Sequence, residues 1–223
     1  MLYMYTVIPV PLLAVAVSAG FPSPAAAYSE KPLIIDDWLW PQRVSCQLVP
    51  VGTNGRTYLI LDQSLRPIVG DQIWFTEADE LRSWPCEPLP ELGMGIVVSA
   101  TVRLYRRRAD PGPTPESIHD WLVRRPYATY LVRAEGRSMV GHGIHHGSLL
   151  VVDRSCDLHD GDIVIAGSAD GFLVKQYRAN PARLVSGNPE YLDIVLQSAP
   201  QYDLDGVVIA SLTHHRRQAE RRK

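Results

Sequence analysis

Lysine is the rarest charged residue in this 223-residue chain: of 22 basic side chains only Lys31, Lys175 and Lys223 are lysine, and only Lys175 lies well inside the sequence. Chemistry that needs a buried lysine therefore has one candidate. Net charge is nearly absent as well, since 22 Lys+Arg against 24 Asp+Glu leave −2. That balance excludes a nucleic-acid binder working through overall basicity and leaves room only for a local patch. Cysteine is limited to Cys46, Cys86 and Cys156. An odd number at no metal-ligand spacing fits a reducing, cytoplasmic compartment better than a disulfide framework. What is present is ordinary for a globular protein: 46% hydrophobic and 21% charged residues exclude a mostly disordered chain. The length allows one large domain or two small ones.

Charge is missing altogether from residues 1–29. The run Val7 to Gly20 has the apolar character of a signal peptide, and Val17-Ser18-Ala19 supplies small residues for a cleavage site. There is no basic segment before it, however, and Pro9 and Pro11 interrupt it. The unbroken part, Leu12 to Ala19, falls far short of the ~20 residues that cross a bilayer. The expectation is an extended, apolar arm and no membrane association. After Gly20, Pro22 and Pro24 exclude helix from Phe21–Tyr28, which reads as an exposed strap with a protease-accessible bond just before it.

From about Ser117 the chain changes to short apolar runs separated by turn signals. His119–Leu122 reads as a short helix, and Thr129–Ala134, Gly147–Asp153, Ile163–Ala166, Gly171–Tyr177, Tyr191–Leu196 and Gly206–Leu212 as strands. The fold class is mainly β, a compact barrel or sandwich. Lys175 is unusual in this setting, among Phe172, Leu173, Val174 and Tyr177. An ammonium in apolar surroundings loses hydration, so its pKa falls and the neutral amine can accept a proton. A hydroxyl nucleophile on a tight loop is the partner it needs, and Ser138, between Gly136 and Met139, suits that role. The residues alone equally allow Lys175 on a solvated strand face and Ser138 as a turn serine.

Taken together, Gly20–Ala26, Gly136-x-Ser138-Met139, Leu149–Asp153, Gly161–Ala166, Val174-Lys175 and Asp205–Ile209 resemble the self-cleaving Ser-Lys peptidases of the LexA/UmuD family, the S24 peptidases. The motifs occur in that family's order, and 37 residues separate Ser138 from Lys175. The resemblance implies a LexA/UmuD-type peptidase β fold and a serine peptidase that cuts its own Ala19–Gly20 bond, with Ser138 as nucleophile and neutral Lys175 as base. It implies no cofactor and no metal. It further implies activation by a RecA filament on single-stranded DNA in the bacterial SOS response. The trimmed form then joins a UmuC-like Y-family polymerase in translesion synthesis. Only 19 residues precede the cut, too few for the helix-turn-helix domain of a LexA-type repressor, which favours the UmuD role. Two other classes remain: a non-cleaving module that regulates polymerase or RecA, and, less favoured, a signal-peptidase-like processing enzyme.

Arg137 and Ser148 depart from the family pattern, which has an acidic or polar residue before the nucleophile and aspartate after Gly147. His142, His145 and His146 lack Cys or carboxylate partners and read as a solvated loop. Residues 31–116 have no place in the resemblance. Repetition within the chain offers one: Asp37-Trp38-Leu39 and Leu48-Val49 match Asp120-Trp121-Leu122 and Leu131-Val132 at an offset of 83. At 91, Leu59, Asp62, Ser64 and Gly70-Asp71 match Leu150, Asp153, Ser155 and Gly161-Asp162, placing Gln47 opposite Ser138 and Trp84 opposite Lys175. At 111, Gly95 and Val97 match Gly206 and Val208. The expected organisation is an arm and strap (1–32), a shortened and catalytically dead peptidase-like copy (33–108), a linker (109–116), the active domain (117–213) and a solvated basic tail (214–223). A chance β-rich insertion is the alternative to duplication. Pairing is expected as a homodimer or as an internal pseudo-dimer of the two copies.

Overall fold

A computed structural model describes residues 7–13, 29–40, 42–75, 80–83, 95–168, 171–198 and 202–215. The first half contributes β1 (Val10–Leu13), β2 (Ser29–Leu33), helix α1 (Ile35–Leu39), β3 (Cys46–Val51), β4 (Thr57–Asp62), β5 (Gln72–Phe75), β6 (Glu80–Ser83) and β7 (Ile96–Leu104). The second contributes helix α2 (Ile118–Leu122), β8 (Thr129–Arg133), β9 (Leu149–Asp153), β10 (Ile163–Ser168), β11 (Gly171–Ala179), β12 (Ala182–Val185), β13 (Ile194–Val195) and β14 (Asp203–His214). The protein is mainly β, as the short apolar runs predict.

All the described strands join one branched, unclosed sheet. Its main path runs β13-β12-β11-β10-β14-β9-β8-β1-β2, while β7 pairs with β14, β4 and β5, β3 pairs with β4 and β6 with β5. β14 can hold three partners because it is long: it meets β10 near Asp203–Val207, β9 from Val207 to Leu212 and β7 from Ala210 to His214. The β9 run Leu-Leu-Val-Val is buried throughout, as expected for a strand covered on both faces. Leu149 and Val151 enter a core that also takes Val10, Leu12, Leu48, Ile60, Val102 and Leu212. Leu150 and Val152 point the other way, to a core with Tyr130, Met139, Ile163 and Val174. This alternation is the two-residue period of a strand, and the first core is shared by both halves of the chain.

The structure corrects several boundaries. Of the arm, residues 10–13 are an integral strand: β1 pairs in parallel with β8 and antiparallel with β2, and Val10 and Leu12 are buried. The strand expected over Tyr191–Leu196 contracts to β13, and β12, which the sequence reading does not contain, lies beside β11. His214 and His215 belong to the body and not to a solvated tail. His214 Nε2 meets the Trp38 carbonyl at 3.0 Å and its ring packs edge-on against Trp38, while His215 Nε2 meets Thr101 Oγ1 at 2.7 Å. Residues 106–115 are pinned as well: Trp121 Nε1 donates to the Ala109 carbonyl at 2.8 Å and Leu48 N to the Pro113 carbonyl at 2.8 Å. The strap 21–28, Cys86, Trp84 and residues 216–223 lie outside the described residues. Among those described, no helix is long and apolar enough to cross a membrane.

Candidate active site

Ser138 sits in the loop between β8 and β9. Two backbone bonds close the base of that loop, Ala134 N to the Ser148 carbonyl and Gly147 N to the Ala134 carbonyl, both 2.8 Å. Inside it Gly136, at φ +78°, takes the left-handed turn that other residues rarely adopt. Ser148, the departure from the family pattern, ties the loop down: its hydroxyl accepts from His145 N at 3.1 Å and meets Thr213 Oγ1 at 2.8 Å. Arg137 is exposed and Ser138 is buried. His142 is half-buried with His145 and His146 exposed. No set of three or more His, Cys, Asp or Glu among the described residues is placed to hold a metal.

Lys175 lies on β11, opposite Val164 of β10, and is only 4% exposed. Burial lowers its pKa from the usual lysine value, with the Asp193 carboxylate pulling weakly the other way. Its ammonium donates to Ser186 Oγ and stands 5.5 Å from the Tyr191 ring centre. Met139 and Val174, the chain neighbours of Ser138 and Lys175, share one core cluster, so the two residues flank the same packed centre. The described residues show no hydrogen bond between the Ser138 hydroxyl and Lys175.

What joins their surroundings is the segment after β12. Gly141 N, one turn past Ser138, donates to the Gly187 carbonyl at 3.0 Å, and Asn188 Nδ2 reaches the Arg137 carbonyl at 3.4 Å. The contact is so close that a Cβ on Gly141 would lie 2.1 Å from the Gly187 oxygen. Ser186 grips the lysine while Gly187 and Asn188 grip the Ser138 loop. Beside this junction opens a cavity of about 540 Å³ lined by Gly141, His142, Ser186, Gly187, Tyr191 and others. Sequence reasoning missed Ser186, Gly141 and Gly187. The only signal was the Ser-Gly-Asn-Pro turn composition of 186–189, which marks a loop without saying what it holds.

Ala19 and Gly20 lie outside the described residues. Residues 14–28 connect β1 to β2, and Leu13, at the start of that connection, packs against the core cluster that contains Met139 and Val174.

The Peptidase S24-like family matches residues 105–209. Protein SamA of Salmonella typhimurium is 38% identical over 104 residues, covering 42% of this chain and 74% of SamA. Protein MucA of Escherichia coli is 38% identical over 129 residues, covering 52% of this chain and 86% of MucA. The LexA repressor of Cupriavidus necator is 34% identical over 127 residues, 53% of this chain and 58% of the repressor. The chain belongs to the S24 peptidase family. Within it the likeness to MucA and SamA marks a UmuD-like SOS mutagenesis protein. The S24 match supplies the general chemistry, that of a self-cleaving serine peptidase. It begins at Tyr105, so residues 34–104 lie outside the S24 match.

Proposed function

We propose that this protein is the self-cleaving subunit of an error-prone translesion polymerase, with Ser138 and Lys175 as its catalytic dyad and Ala19–Gly20 as the bond cut. The observation that carries the reading is Lys175 itself: a buried ammonium on an apolar strand, with a lowered pKa, joined through Ser186–Asn188 to the loop bearing Ser138. In the proposed step neutral Lys175 takes the Ser138 proton as Oγ attacks the Ala19 carbonyl carbon. Backbone N–H groups near Ser138 hold the oxyanion. Lys175 returns the proton to the Gly20 nitrogen as the peptide bond breaks, and water then hydrolyses the Ala19 ester. The partners proposed are a RecA filament on single-stranded DNA, which favours the cleavable state, and a UmuC-like Y-family polymerase, which receives the trimmed protein in the bacterial cytoplasm.

A second reading, a non-cleaving regulatory module, is favoured by one observation: Lys175 is hydrogen-bonded to Ser186 and not to Ser138. One experiment separates the two. Purified protein is incubated at pH about 10, just below the ordinary lysine value of about 10.4, so that a lysine of lowered pKa is mostly neutral, or with RecA, an ATP analogue and single-stranded DNA, and the products are weighed. Loss of covalent connection after residue 19, abolished by Ser138→Ala and Lys175→Ala, supports the dyad. An intact chain under both conditions supports the module.

A further inference from the structure

The strands of the two halves pair in the same way. β3-β4-β7-β5-β6 and β8-β9-β14-β10-β11 have the same order and all-antiparallel pairing. The registers agree residue by residue. Cys46 faces Asp62 as Thr129 faces Asp153, and Ile73 faces Val97 as Val164 faces Val207. Even the irregularity repeats. β7 skips Ser99 between its pairs with Ile60 and Leu61, and β14 skips Ile209 between its pairs with Val151 and Val152. Each five-strand set is preceded by a five-residue helix, Ile-Asp-Asp-Trp-Leu in α1 and Ile-His-Asp-Trp-Leu in α2, followed by a 3₁₀ turn at Arg43–Ser45 or Pro126–Ala128. Asp62 accepts from Ser64 N at 2.9 Å, and Asp153 from Ser155 N at 2.8 Å. A chance insertion has no reason to reproduce registers, a bulge and side-chain turns together.

We infer that residues 34–104 are a second peptidase-fold copy, without a nucleophile, that pairs with the active copy about an internal two-fold and takes the place of a second chain. The seam is β7 against β14, with Leu104 facing Ala210 and Ala100 facing His214. Reciprocal bonds close it: Tyr105 N donates to the carbonyl of the skipped Ile209, and His215 N to that of the skipped Ser99, both at 2.9 Å. The outer edges are crossed as well. β1 of the first half covers β8 at Leu131, and Pro113 of the second covers β3 at Leu48.

This register sharpens the sequence offsets. Val97 corresponds to Val207, not Val208, and the position of Lys175 falls on Arg82, not Trp84, because β6 Arg82 faces Ile73 as Lys175 faces Val164. Gln47 is not opposite Ser138, since it lies within β3 and the nucleophile loop has no counterpart. β3 and β4 are joined by residues 52–56, where β8 and β9 are joined by 134–148. Lacking that loop, the first copy cannot cut, yet it touches the loop of the other. Arg103 of β7 packs against Gly143 so closely that a Cβ there would lie 2.6 Å from Arg103 Cζ. The dead copy thereby occupies the β14 edge, which a second chain would otherwise use, and buttresses the nucleophile loop.

The test has three arms on the full chain. Light scattering reads the one-chain mass of 24.8 kDa across the accessible concentration range; a two-chain mass overturns the inference. In Thr101→Cys/Thr213→Cys, oxidation or a short thiol cross-linker joins residues 101 and 213 within one chain, as peptide mapping shows. A link found only between chains, or none, overturns it. Arg103→Ala lowers self-cleavage by about tenfold or more at unchanged mass, and an unaltered rate overturns the buttress. This last arm rests on the dyad reading: a parent protein that never cleaves defeats that reading, while mass and cross-link still decide the pairing.

Discussion

Asp36 and His119 stand 83 residues apart, at the same position of α1 and α2, and each caps the other's helix. The Asp36 carboxylate accepts from Ile118 N and His119 N, both at 2.9 Å, and from Ser117 Oγ at 2.9 Å. The His119 Nδ1 accepts from Ile35 N at 3.2 Å. A ring nitrogen that accepts carries no hydrogen, so the proton sits on Nε2 and is donated to the Ile8 carbonyl at 2.9 Å. Neither helix has its own long body to stabilise it, since each is five residues. The first N–H groups of one are satisfied by a side chain of the other. This exchange links the N-terminal segment, both helices and the shared core.

Removing Asp36 is therefore expected to cost more than an exposed cap. It strands three donors at the α2 start and also the Trp40 indole N–H, which Asp36 accepts at 2.8 Å. Asp36→Ala is expected to destabilise the fold by about 1–3 kcal/mol, with Asp36→Asn between it and the parent. Thermal unfolding of the three proteins checks the order; a parent-like melting temperature for the alanine variant refutes the role.

Much of this architecture is legible in the sequence because strands of five to twelve residues with β-branched cores announce themselves: β9, β10, β11 and β14 all lie where the apolar runs predict. Asp62-x-Ser64 and Asp153-x-Ser155 carry the repeat for the same reason, since a side-chain turn is a local feature. What is not legible depends on distance along the chain. β1 looks like a loose arm because its partners, Leu131 and Leu33, are contributed by remote segments. Ser186 and the Gly141–Gly187 contact are likewise invisible, as nothing local shows that a turn after β12 will lie against the Ser138 loop. The offset of 111 fails by one residue because matching Gly and Val letters do not fix strand register, which the pairing of Val97 with Ile73 and of Val207 with Val164 sets.

Self-cleavage should rise with pH as Lys175 loses its proton, with a midpoint below the ordinary lysine value of about 10.4, because burial lowers its pKa. The stability effect has the same sign. Between the folded and unfolded values the unfolded chain binds the extra proton, so stability increases with pH across that window, and Lys175→Met removes that slope. Ser186→Ala deletes the acceptor of the ammonium, which disfavours the charged form. The midpoint should move lower while the plateau rate falls, and Ser186→Thr should restore both. A rate–pH profile for each variant is the measurement; an unmoved midpoint in Ser186→Ala contradicts the positioning role.

Two glycines of the Ser138 loop are expected to respond in opposite ways. Gly136 has φ +78° but open space where a methyl would be added, so Gly136→Ala should cost about 1 kcal/mol of stability and leave much of the cleavage rate. Gly141 has no such backbone demand, but its added Cβ meets the Gly187 oxygen at 2.1 Å. Gly141→Ala must push the Ser138 loop off the segment that holds Lys175, and a displacement of that kind is worth about 100-fold in rate. Paired melting and cleavage assays should show the larger rate loss in Gly141→Ala; equal losses in both count against the junction as the element that aligns the dyad.

Cutting at Ala19–Gly20 would not by itself free the segment before it. β1 pairs with both β8 and β2, Val10 and Leu12 are 0% and 3% exposed, and Ile8 is held by His119. Burying two aliphatic side chains contributes about 1.5–3 kcal/mol each, and the backbone pairs add to that. The 1–19 fragment should therefore stay bound after cleavage, leaving a nicked protein whose β8 edge is still covered. Native mass spectrometry of self-cleaved protein is expected to show the sum of both pieces, and denaturing spectra the separate pieces. Leu12→Asp should release the fragment without preventing the cut. Prompt loss of the fragment from the parent protein would mean that β1 is held only by its covalent link, and that the β8 edge becomes available to another strand as soon as the bond is broken.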